Sequence, residues 1–277
     1  MNDSRTPAFR FLQDIAADLG KAKLAFPTFS QATVKVRTAL DSPDIDVERL
    51  AKVVSTEPLL AARVVKTANS AAICPGGRPV ADVRSAIIRI GMESVRSIAT
   101  AVALEQLRDG AQSATTRPFA EATWRHSVHV AAIASVLAKR LTRIHPDEAL
   151  FAGLVHDIGH FYLLSRVPHY PELEGNHEEL AHILANWHPS IGQAVLHDIN
   201  VPDALIDAVG EHENGRYNVP LRTLTDVVTL ANIAASASNP AVSLRVDPVT
   251  AITQPDLVET LNDAKADVVA MATALRG

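Results

Sequence analysis

The sequence predicts an all-α protein, and three observations carry that expectation. Only 12 of its 277 residues are glycine and alanine is abundant; alanine is the best helix former and glycine among the worst. Apolar residues recur at helical spacing along nearly the whole chain, while the alternation of a half-buried strand is hard to find. A composition of 47% hydrophobic and 21% charged residues is that of an ordinary globular protein.

The elements follow in order. A first helix after Pro7 carries the stripe Phe11, Leu12, Ile15, Ala16 and Leu19, with Gly20 to end it. Phe26-Pro27 marks a loop, and a second helix holds Ala32, Val36, Ala39 and Leu40 before the turn Asp41-Ser42-Pro43-Asp44. Asp46 can cap a third helix with Val47, Leu50, Ala51 and Val54 on one face. Thr56-Glu57-Pro58 opens the next, because proline is tolerated in a first turn. Its inner face is Leu60, Ala61, Val64, Val65 and Ala68, with Arg63 and Lys66 turned outward, and Asn69-Ser70 ends it by bonding to backbone. After the loop from Pro75 to Pro79, Asp82 caps a helix holding Val83, Ala86, Ile87 and Ile90 that stops at Gly91. A further helix begins near Glu93, and residues 109–117 form a polar connector. The second half opens with a long helix from Pro118 to Leu141 and a shorter one from Asp147 to His156. Pro168 to Asn176 reads as a loop, and helices are expected over 177–187, 189–198, 202–213 and 221–236. Asn239-Pro240 breaks the chain before a last helix over 255–275. The expected organisation is two packed helical subdomains, 22–108 and 117–236, with helical extensions at 1–21 and 237–277.

Bulk chemistry narrows the function. A net charge of −5 with no lysine- or arginine-dense run argues against nucleic acid as the main partner. Arg78, Arg84, Arg89 and Arg96 offer a basic surface for a nucleotide or protein partner, although solvated faces are the plainer reading. The single Cys74 cannot form an internal disulfide, which suits a reducing cytoplasm, and is expected to pack as a small buried hydrophobe. Asn2, Asp3, Ser4 and Arg5 form no signal-like apolar core, and no apolar stretch reaches the ~20 residues of a membrane span. A cytoplasmic protein without a membrane segment is expected.

All eleven histidines lie between His126 and His212. Within that window His156-Asp157 ends the apolar run Phe151-Ala152-Gly153-Leu154-Val155. Imidazole is the commonest metal ligand and titrates near neutrality, so a His-Asp doublet at the edge of an apolar helix points to a buried metal site.

Several motifs carry a resemblance. Phe26-Pro27 precedes Asp44-Ile45-Asp46-Val47-Glu48-Arg49-Leu50-Ala51, then Glu57-Pro58-Leu59-Leu60-Ala61-Ala62-Arg63 running into Ala68-Asn69-Ser70-Ala71. Val80-Ala81-Asp82-Val83 then leads to Ala86-Ile87-Ile88-Arg89-Ile90-Gly91 and Val95-Arg96. The second half adds Gly153-Leu154-Val155-His156-Asp157-Ile158-Gly159, His188-Pro189-Ser190-Ile191-Gly192 and Glu211-His212-Glu213. In order and spacing the chain resembles the HDOD family, a branch of the HD superfamily found in bacterial signalling proteins. The resemblance implies an HDOD-type N-terminal helical bundle packed on an HD-like bundle.

It also implies a ligand series of His, His-Asp, His, one or two His, then Asp, as in HD phosphohydrolases and their HD-GYP branch. The matching positions are His126, His156, Asp157, His188 and His212, which would hold one or two divalent ions (iron, manganese or zinc), with Asp157 able to bridge two of them. The closing carboxylate is replaced by Asn232, with Asp226 as an alternative, and Glu211 stands where HD-GYP proteins often have a histidine. The lysine that usually follows the doublet and meets substrate phosphate is replaced by His160. Asp157 and His160 are therefore the catalytic candidates if the chain hydrolyses a phosphate ester or cyclic nucleotide. The leading expectation is a signalling module acting through a protein partner or a small ligand such as a nucleotide. His145, His169, His177, His182 and His197 are expected at the surface, and His129 there or beside the ligands.

Overall fold

The computed structural model describes residues 7–19, 31–110, 113–198, 201–236 and 254–276. Every regular element among them is helical, as the composition predicts. Gly20, Phe26-Pro27 and Asn239-Pro240 lie outside the described residues. In chain order the α-helices are α1 (Pro7–Leu19), α2 (Gln31–Leu40), α3 (Val47–Ser55), α4 (Pro58–Ala68), α5 (Val83–Ile90), α6 (Met92–Gly110), α7 (Thr116–Leu141), α8 (Pro146–Val155), α9 (Ile158–Arg166), α10 (Pro171–Glu174), α11 (His177–Asp198), α12 (Asp203–Glu211), α13 (Leu224–Ser236), α14 (Pro255–Asp263) and α15 (Lys265–Arg276).

The first helices form where their caps predict. Asp46 and Asp82 each accept a backbone N–H three residues on, from Arg49 at 2.7 Å and Ser85 at 2.8 Å. Asn69 caps α4 and clamps the following loop, its amide donating to the Val80 carbonyl and accepting from the Val80 N–H, both at 2.8 Å. These helices enclose one apolar cluster, including Val36, Leu50, Val54, Leu60, Val64, Ile87, Ile98 and Val102. A larger cluster is built from α1 and α6 to α15. Helix α6 serves both: Ile98 and Val102 face the first cluster, while Ala101 and Leu104 face the second. A helix apolar on all sides is one buried on all sides, so α6 fastens the two clusters together.

Several elements differ from the sequence expectation, each for a physical reason. Helix α11 runs unbroken through Pro189 instead of ending before it. Pro189 cannot supply an N–H to the turn before it, and burial of Ile183, Leu184, Ile191, Val195 and Leu196 along the same helix offsets that one lost bond. Ile158–Arg166, given no element above, is helix α9. The expected loop over Pro168 to Asn176 contains a 3-10 turn, Val167–His169, and the single turn α10, with Pro168 and Pro171 at first-turn positions. The last helix is two, divided at Ala264. Cys74 is half-buried and packs on a tight turn at Gly77, not in a core.

Arg63 points inward, not outward. It is buried, bonds the Glu105 carboxylate at 2.7 Å and donates to the Leu275 carbonyl of α15 at 2.7 Å. The C-terminal helix was too distant in sequence to be recognised as its cover. Three of the other arginines are engaged too: Arg84 bonds Glu48, Arg96 bonds Glu93 and Asp41, and Arg89 donates to Ala68, Asn69 and the Arg78 carbonyl. They do not form the open basic surface considered above.

Two glycines set the helix spacing in the second half. A Cβ on Gly153 of α8 would lie 2.7 Å from the Ala131 backbone of α7, and one on Gly159 of α9 would lie 2.0 Å from the His188 carbonyl of α11. Gly159→Ala is therefore expected to destabilise the protein by about 3 kcal/mol or more, since overpacking against backbone finds no easy relief. Gly110→Ala, with nothing within 4 Å of the added carbon, should be neutral or slightly stabilising in urea unfolding. Arg63→Ala should cost about 2 kcal/mol in the same assay, because it removes the bond to the Leu275 carbonyl and leaves Glu105 only its longer pairing with Arg108.

Candidate metal centre

The His-Asp doublet does not lie on a helix face. His156 closes α8 and Asp157 opens α9, so the pair forms the corner between them. The tight contact at Gly153 brings that corner against α7, which carries His126, and the contact at Gly159 brings it against α11, which carries His188. His212 follows α12, and Asn232 lies on α13. Six helices thus deliver His126, His156, Asp157, His188, His212 and Asn232 to one buried cluster, none more than 3% exposed.

The imidazoles are oriented by backbone carbonyls. Nδ1 of His156 lies 2.8 Å from the Gly153 oxygen, that of His188 2.8 Å from the Leu184 oxygen, and that of His212 2.6 Å from the Val209 oxygen. A carbonyl can only accept, so each Nδ1 carries the hydrogen and each neutral ring presents Nε2 as a lone pair. All three Nε2 atoms face Asp157: His156 is 3.3 Å from Oδ2, while His188 and His212 are 3.3 and 3.5 Å from Oδ1. The Nε2 atoms of His188 and His212 are 3.2 Å apart. Lone pairs opposed in this way repel unless a cation lies among them. Adjacent donors sharing an ion at about 2.1 Å each sit roughly 3 Å apart, close to these spacings.

The donors divide into two groups that share Asp157. One comprises His126, His156 and Asp157, the other Asp157, His188 and His212; in each, one donor atom per residue lies within 4.8 Å of the others. Nε2 of His156 and Nδ1 of His126 are buried without hydrogen-bond partners. His126 Nε2 lies 2.8 Å from Asn232 Oδ1, and the Asn232 amide donates to Glu213 Oε1 at 3.2 Å. The donor set therefore fits a divalent ion in either group.

The surrounding candidates sort clearly. His160 stands 3.4 Å from Asp157 Oδ1 and stacks on His188, ring centroids 4.0 Å apart. Glu211 is exposed. Glu213, which sequence reasoning passed over, reaches inward instead, with Oε1 3.5 Å from His212 Nε2 and 3.9 Å from His188 Nε2. The only sequence signal for it was its place beside His212. Asp226 is buried, but its oxygens accept from the Asn218, Arg222 and Thr223 backbone and the Asn218 side chain, so it clamps the loop before α13. His145, His169, His177, His182 and His197 are exposed, as expected, and His129 is half-buried on the same helix as His126.

The electrostatics follow from burial against the Asp157 charge. Burial alone would raise Asp157, but the imidazoles of His156 and His160 beside it hold its carboxyl well below the usual carboxylate range. Burial, reinforced by His156, lowers His126 to about 4, and burial together with His160 lowers His188. His212 would be lowered by burial, but its contact with Asp157 and then Glu213 raises it. Of His126, His188 and His212, only His212 is shifted towards its protonated form.

The sign for stability follows. His126 is neutral in the folded protein down to about 4, whereas the unfolded ring takes a proton near 6.5. Its contribution is complete above 6.5 and is lost as pH falls towards 4, by on the order of 3 kcal/mol. His188 acts in the same direction; His212, being raised, opposes them and gives its stabilisation at low pH. Metal-free protein should therefore be less stable to urea at about pH 4.5 than at about pH 7.5. His126→Gln should flatten that decline; an unchanged decline would remove His126 as its source.

Comparison with known proteins agrees with this architecture. Residues 26–215 match the family pattern of the HDOD domain. A Shewanella amazonensis SB2B structure, named as a candidate metal-dependent phosphohydrolase, superposes with a TM-score of 0.80 at 24% identity, covering 98% of this chain and all (100%) of that one. A Marinobacter aquaeolei VT8 structure, named as a candidate signal transduction protein, gives 0.61 at 19% identity over 99% of this chain and 67% of that one. At such identities the likeness shows a shared fold. An uncharacterized protein of Treponema pallidum is 22% identical over 214 residues, taking in 72% of this chain and 40% of the relative, so the chain spans less than half of that protein's length. With the family pattern matched over most of its length, and with the helical fold of such proteins, this chain belongs to the HDOD domain family.

Proposed function

We propose that the chain is a regulatory HDOD module with a metal centre of HD type, working through a signalling partner protein or a bound nucleotide. The observation that carries the metal reading is the convergence of three carbonyl-anchored imidazoles on Asp157 with their Nε2 lone pairs inward. His126, His156, Asp157, His188 and His212 would be the ligands. Iron, manganese and zinc all accept such nitrogen and carboxylate donors. Carbonyl partners on the far ring nitrogens are the kind of support that fixes a ligand's tautomer and raises its basicity.

The regulatory reading rests on what surrounds that centre. Phosphate ester hydrolysis needs a metal-activated water and also positive charge on the phosphate oxygens. Among the described residues, no lysine or arginine pairs with Asp157 or Glu213. His160 occupies the clamp position but is engaged with Asp157 and stacked on His188. Among the described residues no helix is long and apolar enough to cross a membrane, so neither reading calls on a membrane.

The second reading, a metal-dependent phosphohydrolase acting on a phosphate ester or cyclic nucleotide, is favoured by the two donor groups sharing one carboxylate. There Asp157 would bridge two ions and His160 would meet the substrate phosphate.

The two are separated by metal analysis of protein purified without chelator, paired with a screen of cyclic nucleotides and phosphate esters. The module reading expects bound metal without turnover. Stoichiometric metal with turnover abolished in His156→Ala would establish the hydrolase instead. Protein that takes up no iron, manganese or zinc would remove the metal centre from both.

A further inference from the structure

We propose that Glu213 is a metal ligand, and that this chain has moved the carboxylate expected at position 232 across the centre to position 213. The inference rests on the metal reading above and goes beyond it by assigning a ligand and an order of filling.

Glu213 lies in the 3-10 turn His212–Asn214, which ends at Gly215 in the left-handed region with φ 65°. Adjacent residues on an α-helix point about 100° apart, so two neighbours rarely enter one pocket. Here the tight turn lets both do so. His212 is anchored to the Val209 carbonyl, and Glu213 turns Oε1 to within 3.5 Å of His212 Nε2 and 3.9 Å of His188 Nε2. Its side chain is only 9% exposed. Its charge therefore faces two imidazole Nε2 atoms and the Asn232 amide, without a lysine or arginine partner among the described residues, so that in the metal-free protein its cation is a proton on His212, whose place a divalent ion would take. A buried carboxylate in that position calls for a cation.

Asn232 explains why the exchange is consistent. Its oxygen meets His126 Nε2 at 2.8 Å and its amide donates to Glu213 Oε1 at 3.2 Å. An aspartate at 232 has no donor to offer and would set a second carboxylate against Glu213. With Glu213 turned inward, a neutral residue able to donate on one side and accept on the other is what the position requires.

The exchange makes the two halves unequal. The half holding His126 and His156 has Asp157 as its only anionic donor, whereas the half holding His188 and His212 has both Asp157 and Glu213. A divalent ion therefore enters the His188–His212–Glu213 half first and more tightly, and the His126–His156 half takes a weaker one.

Calorimetric titration of chelator-stripped full chain with Mn²⁺ tests this. Wild type should take one tight and one weaker ion. Glu213→Gln should weaken the tight ion beyond the roughly 10–100-fold lost with an outer-shell partner, and His126→Ala should lose the weaker ion and keep the tight one. Tight binding unchanged in Glu213→Gln, or lost in His126→Ala, would overturn the assignment while leaving the metal centre standing. A wild type that takes no Mn²⁺ would overturn both together. The metal-free melting temperature of Glu213→Gln should stay close to wild type, because the glutamine oxygen can still accept from the Asn232 amide. A clear fall would mark Glu213 as structural and overturn its role as ligand.

Discussion

A carboxylate buried to 3% exposure with no lysine or arginine paired to it among the described residues must be neutralised by something else. Much of the second half of this molecule is arranged around that need at Asp157. In bulk water the group would be solvated; in this core its partners are imidazoles that can neutralise it only by holding a proton or a metal ion. His156, His160, His188 and His212 surround it from three directions. The corner between α8 and α9 places one carboxylate among them; burial lowers His126 and His188 despite its charge, and at His212 its contact outweighs burial.

Holding several imidazoles in one orientation needs rigid support, and the backbone provides it. Each carbonyl that fixes an Nδ1 belongs to the helix, or helix end, that carries the histidine, at Gly153, Leu184 and Val209. Orientation is thus set by local helical geometry. The distance between rings is set separately, by the close approaches at Gly153 and Gly159, where a single added carbon would meet backbone. Glycine in a helix interior costs about 1 kcal/mol relative to alanine. Both positions accept that cost where the doublet must be pressed against its neighbours, so packing of the core and assembly of the site depend on the same two residues.

What could be read from the sequence, and what could not, divides along the range of the interactions. Asp46 and Asp82 act within three residues of themselves, and the helix starts that they specify are found where expected. His126, His156, Asp157, His188 and His212 were legible as a set because their order resembles a known ligand series, and the structure brings them to one point. Arg63 was misread because its partners, Glu105 and the Leu275 carbonyl, come from distant helices. Pro189 was taken as a break because its local rule is strong, yet the buried face of α11 outweighs one missing hydrogen bond. Glu213 carried too little local signal: whether it or Glu211 turns inward depends on a single 3-10 turn, which periodicity does not resolve.

The departures from the ligand series gain meaning when taken together. Asn232 alone would suggest a decaying site, since a neutral amide replaces an anionic ligand. Decay, however, predicts unrelated losses. Asn232 instead bonds His126 on one side and Glu213 on the other, so it belongs to a network with its own hydrogen-bond logic in which donor and acceptor are matched. His160 is similarly committed, stacked on His188 and directed at Asp157, where a lysine would have been free to reach outward. Both changes strengthen the inward-facing cluster, and the one at 160 weakens any contact with phosphate outside it. Under the proposed reading, a centre modified in that direction would hold an ion among six helices without meeting a phosphate ester outside it.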